Sequence, residues 1–224
     1  MACDDGGVPA RRLLVVTAVA AEAEAVGRSI GSANGVTVLA GGVGAPAAAA
    51  AAAAELARAA ARGDSYRCVI SAGIAGGFAD RAPVGATVLA TAAVAADLGA
   101  ESADGFLSLT DLGFGQSTVD CDGELLRALR ESLPSAVVGT ILTVATVTGS
   151  TERATALQAR HPDAVAEAME GYGVGTAALQ AGVGFAELRT VSNPVGPRDR
   201  ESWRIADALA ALERSAAVLT SLVA

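Results

Sequence analysis

Glu22, Glu170 and Asn193 each follow a run of apolar residues, so two carboxylates and an amide stand where buried strands are expected to end. Open α/β sheets bind their ligands at those carboxyl ends. A carboxylate there suits water activation as a general base or a charge-assisted grip on hydroxyls, and an amide offers both donors and an acceptor. Glu24, Thr146, Thr148, Ser150 and Ser192 fall on the same rim. Glycine turns, Gly41–Gly44 and Gly73–Gly77, follow the second and third apolar runs. Their N–H groups either cradle a ligand or let backbone pass close to backbone. Gly42-Val43-Gly44 suggests a dinucleotide turn, but the acidic residue expected about twenty positions later is missing. All 16 basic residues are Arg, which excludes P-loop and Schiff-base lysine chemistry. Three cysteines (Cys3, Cys68, Cys121) without CxxC spacing and one histidine, His161, make no zinc site. No metal and no cofactor are expected.

The elements that must hold these residues alternate. Arg12–Val19, Val36–Ala40, Cys68–Ala72, Thr87–Ala96, Val137–Val147, Ala164–Ala168 and Phe185–Val191 read as strands. Ala20–Ile30, the alanine tract Ala47–Ala61, Gly171–Ala181 and a closing segment Arg200–Leu222 read as helices. This predicts an α/β fold with a central mixed, mostly parallel twisted sheet flanked by helices. No repeat or linker divides the 224 residues, so a single domain is expected, with residues 1–11 flexible. Aromatics are only 3% and alanine about a quarter of the chain, so the core must be built from Val, Leu, Ile and Ala.

A net charge of −8 argues against nucleic-acid and anionic-membrane partners. The first residues lack the apolar segment of a signal peptide, and the cysteine usage fits a reducing cytoplasmic setting. Alanine-rich helices with few surface charges suggest a homo-oligomer.

The segments TAVAAEAEAV (17–26), SAGIAGGF (71–78), TVATVTGS (143–150), AVAEAMEG (164–171) and LRTVSNPVGPRDRESW (188–203) together resemble the purine nucleoside phosphorylase and nucleosidase superfamily. SNPVGPRDR is similar to one subfamily in particular. Its substrate is a purine nucleoside built on hypoxanthine, with a carboxylated benzoyl extension in place of the 5′ hydroxyl. The resemblance implies the superfamily's α/β fold and cleavage of an N-glycosidic bond without a cofactor. It further implies that Glu22 activates water, that Glu170 holds the ribose with Met169 as an apolar sugar contact, and that Asn193 meets the purine N7 edge. The adenine-cleaving members carry Asp at the position of Asn193, so the amide favours a 6-oxopurine. Val147 and Thr148 should lie along the purine, with Ala75 and Gly76 supplying backbone near the ribose or water. Arg198 or Arg200 is a candidate for the substrate carboxylate, with Trp203 either walling the aromatic ring or packing in a helix core.

Within the resemblance, another purine nucleosidase or phosphorylase of the inosine or methylthioadenosine type is the alternative, and three other readings stay open on the residues alone. A phosphorylase would need cations converging on phosphate, which Glu22 would repel. A non-catalytic nucleoside-binding module and a nicotinamide-cofactor domain are the others.

Overall fold

The computed structural model describes residues 12–103 and 105–223, so the first eleven residues, expected to be flexible, lie outside the described residues. Leu13–Thr17 (β1) is buried along its whole length because both of its faces are covered. Leu13 and Val15 pack with Val26, Leu188 and Leu212, whereas Leu14 and Val16 pack with Ala48, Ala52 and Phe185. Consecutive strand residues point to opposite faces, and a strand covered on both sides reads as a continuous apolar run. That is why RLLVVTAV shows no alternation.

The next elements are α1 (Ala20–Ile30), β2 (Val36–Ala40), α2 (Ala45–Ala61), β3 (Cys68–Gly77) and β4 (Thr87–Ala95). A hairpin, β5 (Gly99–Ser102) with β6 (Gly105–Ser108), precedes β7 (Thr118–Asp120), α3 (Gly123–Ser132) and β8 (Val137–Thr143). The chain then forms α4 (Thr151–Arg160), β9 (Ala164–Ala168), α5 (Gly171–Ala181), β10 (Gly184–Pro194) and α6 (Ile205–Ala216). On α2, Ala48, Ala52, Leu56 and Ala59 are the buried stripe. The backbone of Ala45 comes so close to Gly173 on α5 that no side chain fits at that position.

The sheet is mixed and mostly parallel, and it also closes. β10 pairs parallel with β3 and antiparallel with β4, so β3, β10, β4, β8 and β9 form a ring. β1 and β2 extend it from β3, and β7 adds to β4. Apolar residues from all five ring strands, among them Ala75, Ala90, Ile141, Ala166 and Val191, form a common cluster. One irregularity matters for the site. β10 runs beside β3 from Cys68 to Gly77, so β1 and β9 must share the other edge of β3. β1 pairs only as far as Ser71 and β9 begins only at Gly76. The edge of β3 between them is open.

Several expectations are corrected. Gly73–Gly77 is not a turn but the second half of β3, because β10 pairs along it. β8 ends at Thr143 instead of Val147, since the following backbone is satisfied by side chains: Ala145 N–H donates to Asp97 at 2.8 Å and Thr148 N–H to Glu167 at 2.8 Å. The closing helix is broken: a 3-10 turn at Arg200–Ser202 precedes α6, and a second at Ala217–Leu222 follows it. At the break, Arg204 N–H donates to Ser192 carbonyl on β10 at 2.8 Å.

Candidate active site

Glu22 sits in the first turn of α1 and is 3% exposed. Its Oε2 accepts from the Ala18 and Val19 N–H groups at 2.9 and 3.2 Å, and its Oε1 from Ile74 N–H at 2.9 Å. The Ile74 donor is available because the edge of β3 is open there. The same spot demands glycine beside it: a Cβ on Gly73 would lie 2.5 Å from Glu22 Oε1 and 2.8 Å from Arg189 Nη1. The glycine signal at 73 thus reports a close approach of charged side chains.

Arg189, on β10, is 1% exposed and links the buried acids. It donates to Glu187 Oε1 at 2.9 Å and to Ser71 Oγ at 3.0 Å, with Glu170 Oε2 at 3.2 Å. Burial works against this cation, but Glu187, Glu170 and Glu22 outweigh it and raise its proton affinity. Glu187 is itself pushed up by burial, against the pull of Arg189, and its Oε2 has no hydrogen-bond partner among the described residues. Glu170 follows β9 and caps the start of α5. Its Oε1 accepts from Gly44 N–H at 3.0 Å, so the glycine turn before α2 orients a carboxylate here.

Asn193 reaches the site through a β-bulge. The β10 register with β3 slips between Val191 and Asn193, which sets Asn193 opposite Gly76. Bulges re-aim side chains in this way. Asn193 Oδ1 accepts from Ser192 Oγ at 2.8 Å, and its Nδ2 donates to the Pro194 carbonyl at 3.0 Å. Thr148 is buried, and both its N–H and its hydroxyl donate to the Glu167 carboxylate on β9. Burial raises the proton affinity of Glu167, opposed by those two Thr148 bonds.

One cavity of about 260 Å³ brings most of the sequence-predicted groups together, with Arg189 and Glu187 behind its wall rather than among its lining residues. Glu22, Ala75, Gly76, Val147, Thr148, Met169, Glu170 and Asn193 all line it, with Glu167, Val43, Trp203 and Ile205. Glu24 is exposed on α1, and Thr146 is exposed without lining the cavity. Arg198 and Arg200 do not line it either: both are exposed, with their guanidinium carbons 5.4 and 5.9 Å from the centre of the Trp203 ring at the rim. His161 caps the end of α4, away from the cavity. Among the described residues lining the cavity, the ionisable ones are Glu22, Glu167 and Glu170, and none is basic.

Sequence reasoning passed over Arg189, Glu187 and Glu167. All three lie within otherwise apolar strands, FAELRTV and AVAEA. That is the signal that could have found them: an ionisable residue inside a buried strand needs a partner or a ligand.

The profile of the phosphorylase superfamily matches residues 10–224. The futalosine hydrolase of Streptomyces coelicolor is 52% identical over 215 residues, 89% of this chain and 91% of that protein. The futalosine hydrolase of Acidothermus cellulolyticus is 48% identical over 223 residues, 92% and 89% of the two chains. Among solved structures, the 5′-methylthioadenosine/S-adenosylhomocysteine nucleosidase of Neisseria meningitidis, in complex with methylthio-immucillin-A, has a TM-score of 0.79 at 21% identity, covering 94% of this chain and 99% of that one. The nucleosidase of Colwellia psychrerythraea, in complex with adenine, has a TM-score of 0.81 at 21% identity and covers 96% of each chain. Both share the α/β fold described above.

Proposed function

Because the chain belongs to the phosphorylase superfamily and to its futalosine hydrolase family, we propose that it hydrolyses the N-glycosidic bond of futalosine. The products would be hypoxanthine and dehypoxanthine futalosine, in menaquinone biosynthesis. The observation that carries this reading is the charge of the cavity wall: three carboxylates and no cation among the described lining residues. A phosphate dianion would be repelled there, whereas water and a developing oxocarbenium ion are favoured.

The chemistry follows from the contacts. An ionised carboxylate has about four acceptor sites, and backbone N–H groups fill three on Glu22. The remaining one accepts a proton from the attacking water. The water oxygen bonds to the anomeric carbon as the carbon–nitrogen bond breaks and the electron pair passes to the purine. Asn193 donates to the N7 edge as that charge develops, and the water-derived proton ends on the departing hypoxanthine. Glu170, held by Gly44 N–H and Arg189, accepts from the ribose hydroxyls, with Met169 against the sugar. Ala75, Gly76, Val147 and Thr148 frame the nucleoside. At the rim, Trp203 faces the benzoyl extension and Arg198 or Arg200 pairs with its carboxylate.

The reading also includes a cytoplasmic setting, supported by free thiols at Cys68 and Cys121, and a homo-oligomer. An apolar groove of about 510 Å³, lined in part by Val43, Pro46, Leu98, Met169 and Tyr172, adjoins the cavity and supports the latter. The test of the reaction is incubation with futalosine, inosine and methylthioadenosine, with and without phosphate, and identification of the released base by chromatography. Hypoxanthine from futalosine without phosphate is expected. Base release that depends on phosphate would overturn the hydrolytic reading.

A further inference from the structure

Three neighbouring strands place three residues in a row across the sheet: Asn193 on β10 pairs with Gly76 on β3, and Gly76 pairs with Glu167 on β9. Laterally paired residues present their side chains on one face, and all three line the cavity. Asn193 and Glu167 therefore flank a residue that has no side chain, with two strand spacings, roughly 10 Å, between their backbones. A side chain at Gly76 would intrude on this slot, where its Cβ would already lie 3.4 Å from Asn193 Nδ2. The slot is floored by backbone, bounded by an amide on one side and a carboxylate on the other, and crowded by Val195, whose Cγ2 would lie 3.1 Å from a Cβ at Gly76.

The identity of that second boundary decides which purine fits. Thr148 would otherwise offer the base its N–H, a donor, but Glu167 consumes both the N–H and the hydroxyl. What remains for a ligand on that side is the unused acceptor capacity of the carboxylate oxygens. A 6-oxopurine carries a hydrogen on N1 and is a donor there. A 6-aminopurine has a bare N1 lone pair, which a carboxylate repels. Resting on the nucleosidase reading above, we propose that Glu167 is the residue that selects a 6-oxopurine, by accepting the N1 hydrogen while Asn193 meets N7 and the 6-oxo group. Burial raises the proton affinity of Glu167, and the paired Thr148 donors counter this and favour its anionic, accepting form. Asn193 alone could not discriminate as sharply, because Ser192 Oγ and the Pro194 carbonyl already engage its amide and its remaining hydrogen serves N7, which both kinds of purine carry.

The test compares Glu167→Gln with the parent chain on inosine and adenosine, and separately measures binding of hypoxanthine and 1-methylhypoxanthine to the parent chain by calorimetry. Losing a hydrogen bond to a charged group at N1 should lower the inosine-to-adenosine ratio of kcat/KM roughly ten- to a hundredfold, and 1-methylhypoxanthine should bind at least about tenfold more weakly than hypoxanthine. A ratio unchanged in Glu167→Gln, or equal binding of the two bases, overturns the proposal. If the parent chain releases no base from futalosine either, the hydrolytic reading fails, and the calorimetric comparison still decides the role of Glu167. Failure of hypoxanthine itself to bind overturns both.

Discussion

The two ends of the cavity are built by different means. At the end assigned to water and ribose, Glu22 and Glu170 are nearly sealed from solvent and tied down by backbone N–H groups from three separate loops and strands, with Arg189 between them. At the rim, Arg198 and Arg200 are exposed, with their guanidinium carbons 5.4 and 5.9 Å from the centre of the Trp203 ring. A buried charge is fixed because any other arrangement leaves it unpaired in a medium that penalises this heavily. An exposed guanidinium stacked on an aromatic ring is worth about a kilocalorie per mole or less. The first end is therefore suited to chemistry that tolerates little misplacement, and the second to capture of a variable substituent.

The contrast predicts effects of very different size. The largest is at Glu22. Glu22→Gln removes the base and should slow single-turnover release of hypoxanthine by about 10² to 10⁴ with an unchanged circular dichroism spectrum; near-parental release would contradict the assignment. Next, Arg189→Met leaves Glu187 and Glu170 buried without their cation. Breaking a buried pair costs about 3–5 kcal/mol, which at this chain length corresponds to a melting temperature lower by roughly 6–20 °C. A purely structural role would depress all substrates alike. Positioning of Glu170 by Arg189 should instead cost a ribonucleoside more than its 2′-deoxy analogue, measured with Arg189→Lys.

A smaller effect is expected at Asn193. Asn193→Asp supplies a group able to protonate N7 and should move the inosine-to-adenosine ratio toward adenosine by roughly tenfold, about one hydrogen bond's worth of discrimination; an unchanged ratio refutes the role. The smallest belongs to the rim. Arg198→Ala or Arg200→Ala should raise KM for futalosine no more than about fivefold, as exposed ion pairs are worth at most about 1 kcal/mol, and should leave KM for inosine where it was. Equal shifts for the two substrates would remove these arginines from substrate recognition.

Much of this was readable from residue order. Uninterrupted apolar runs flag strands covered on both faces, as in β1 and the start of β3. α1 and α5 fall where the sequence places them, since their patterns are long enough to be unambiguous. The hairpin β5–β6, the strand β7 and the helices α3 and α4 escaped notice because they are short, although α3 packs Leu125, Leu126 and Leu129 on the core. The glycines of 73–77 were visible as a signal but misread as a turn, because glycine marks bends and crowded strands alike. Glu22, Glu170 and Asn193 were legible as strand-end polar residues. Arg189, Glu187 and Glu167 were not, since inside a strand nothing local says whether a charge has a partner.

Local chemistry along the chain was enough to dictate strands, helices and the presence of carboxylates at strand ends, because side-chain periodicity and backbone preference act over a few residues. Which carboxylates meet is another matter. Glu22 finds Ile74 only because β1 and β9 stop short of each other on β3, and Asn193 meets Glu167 across Gly76 only through a bulge and the closure of five strands into a ring. Those outcomes depend on register between segments far apart in the chain, a cooperative property of the packed sheet that no single segment encodes.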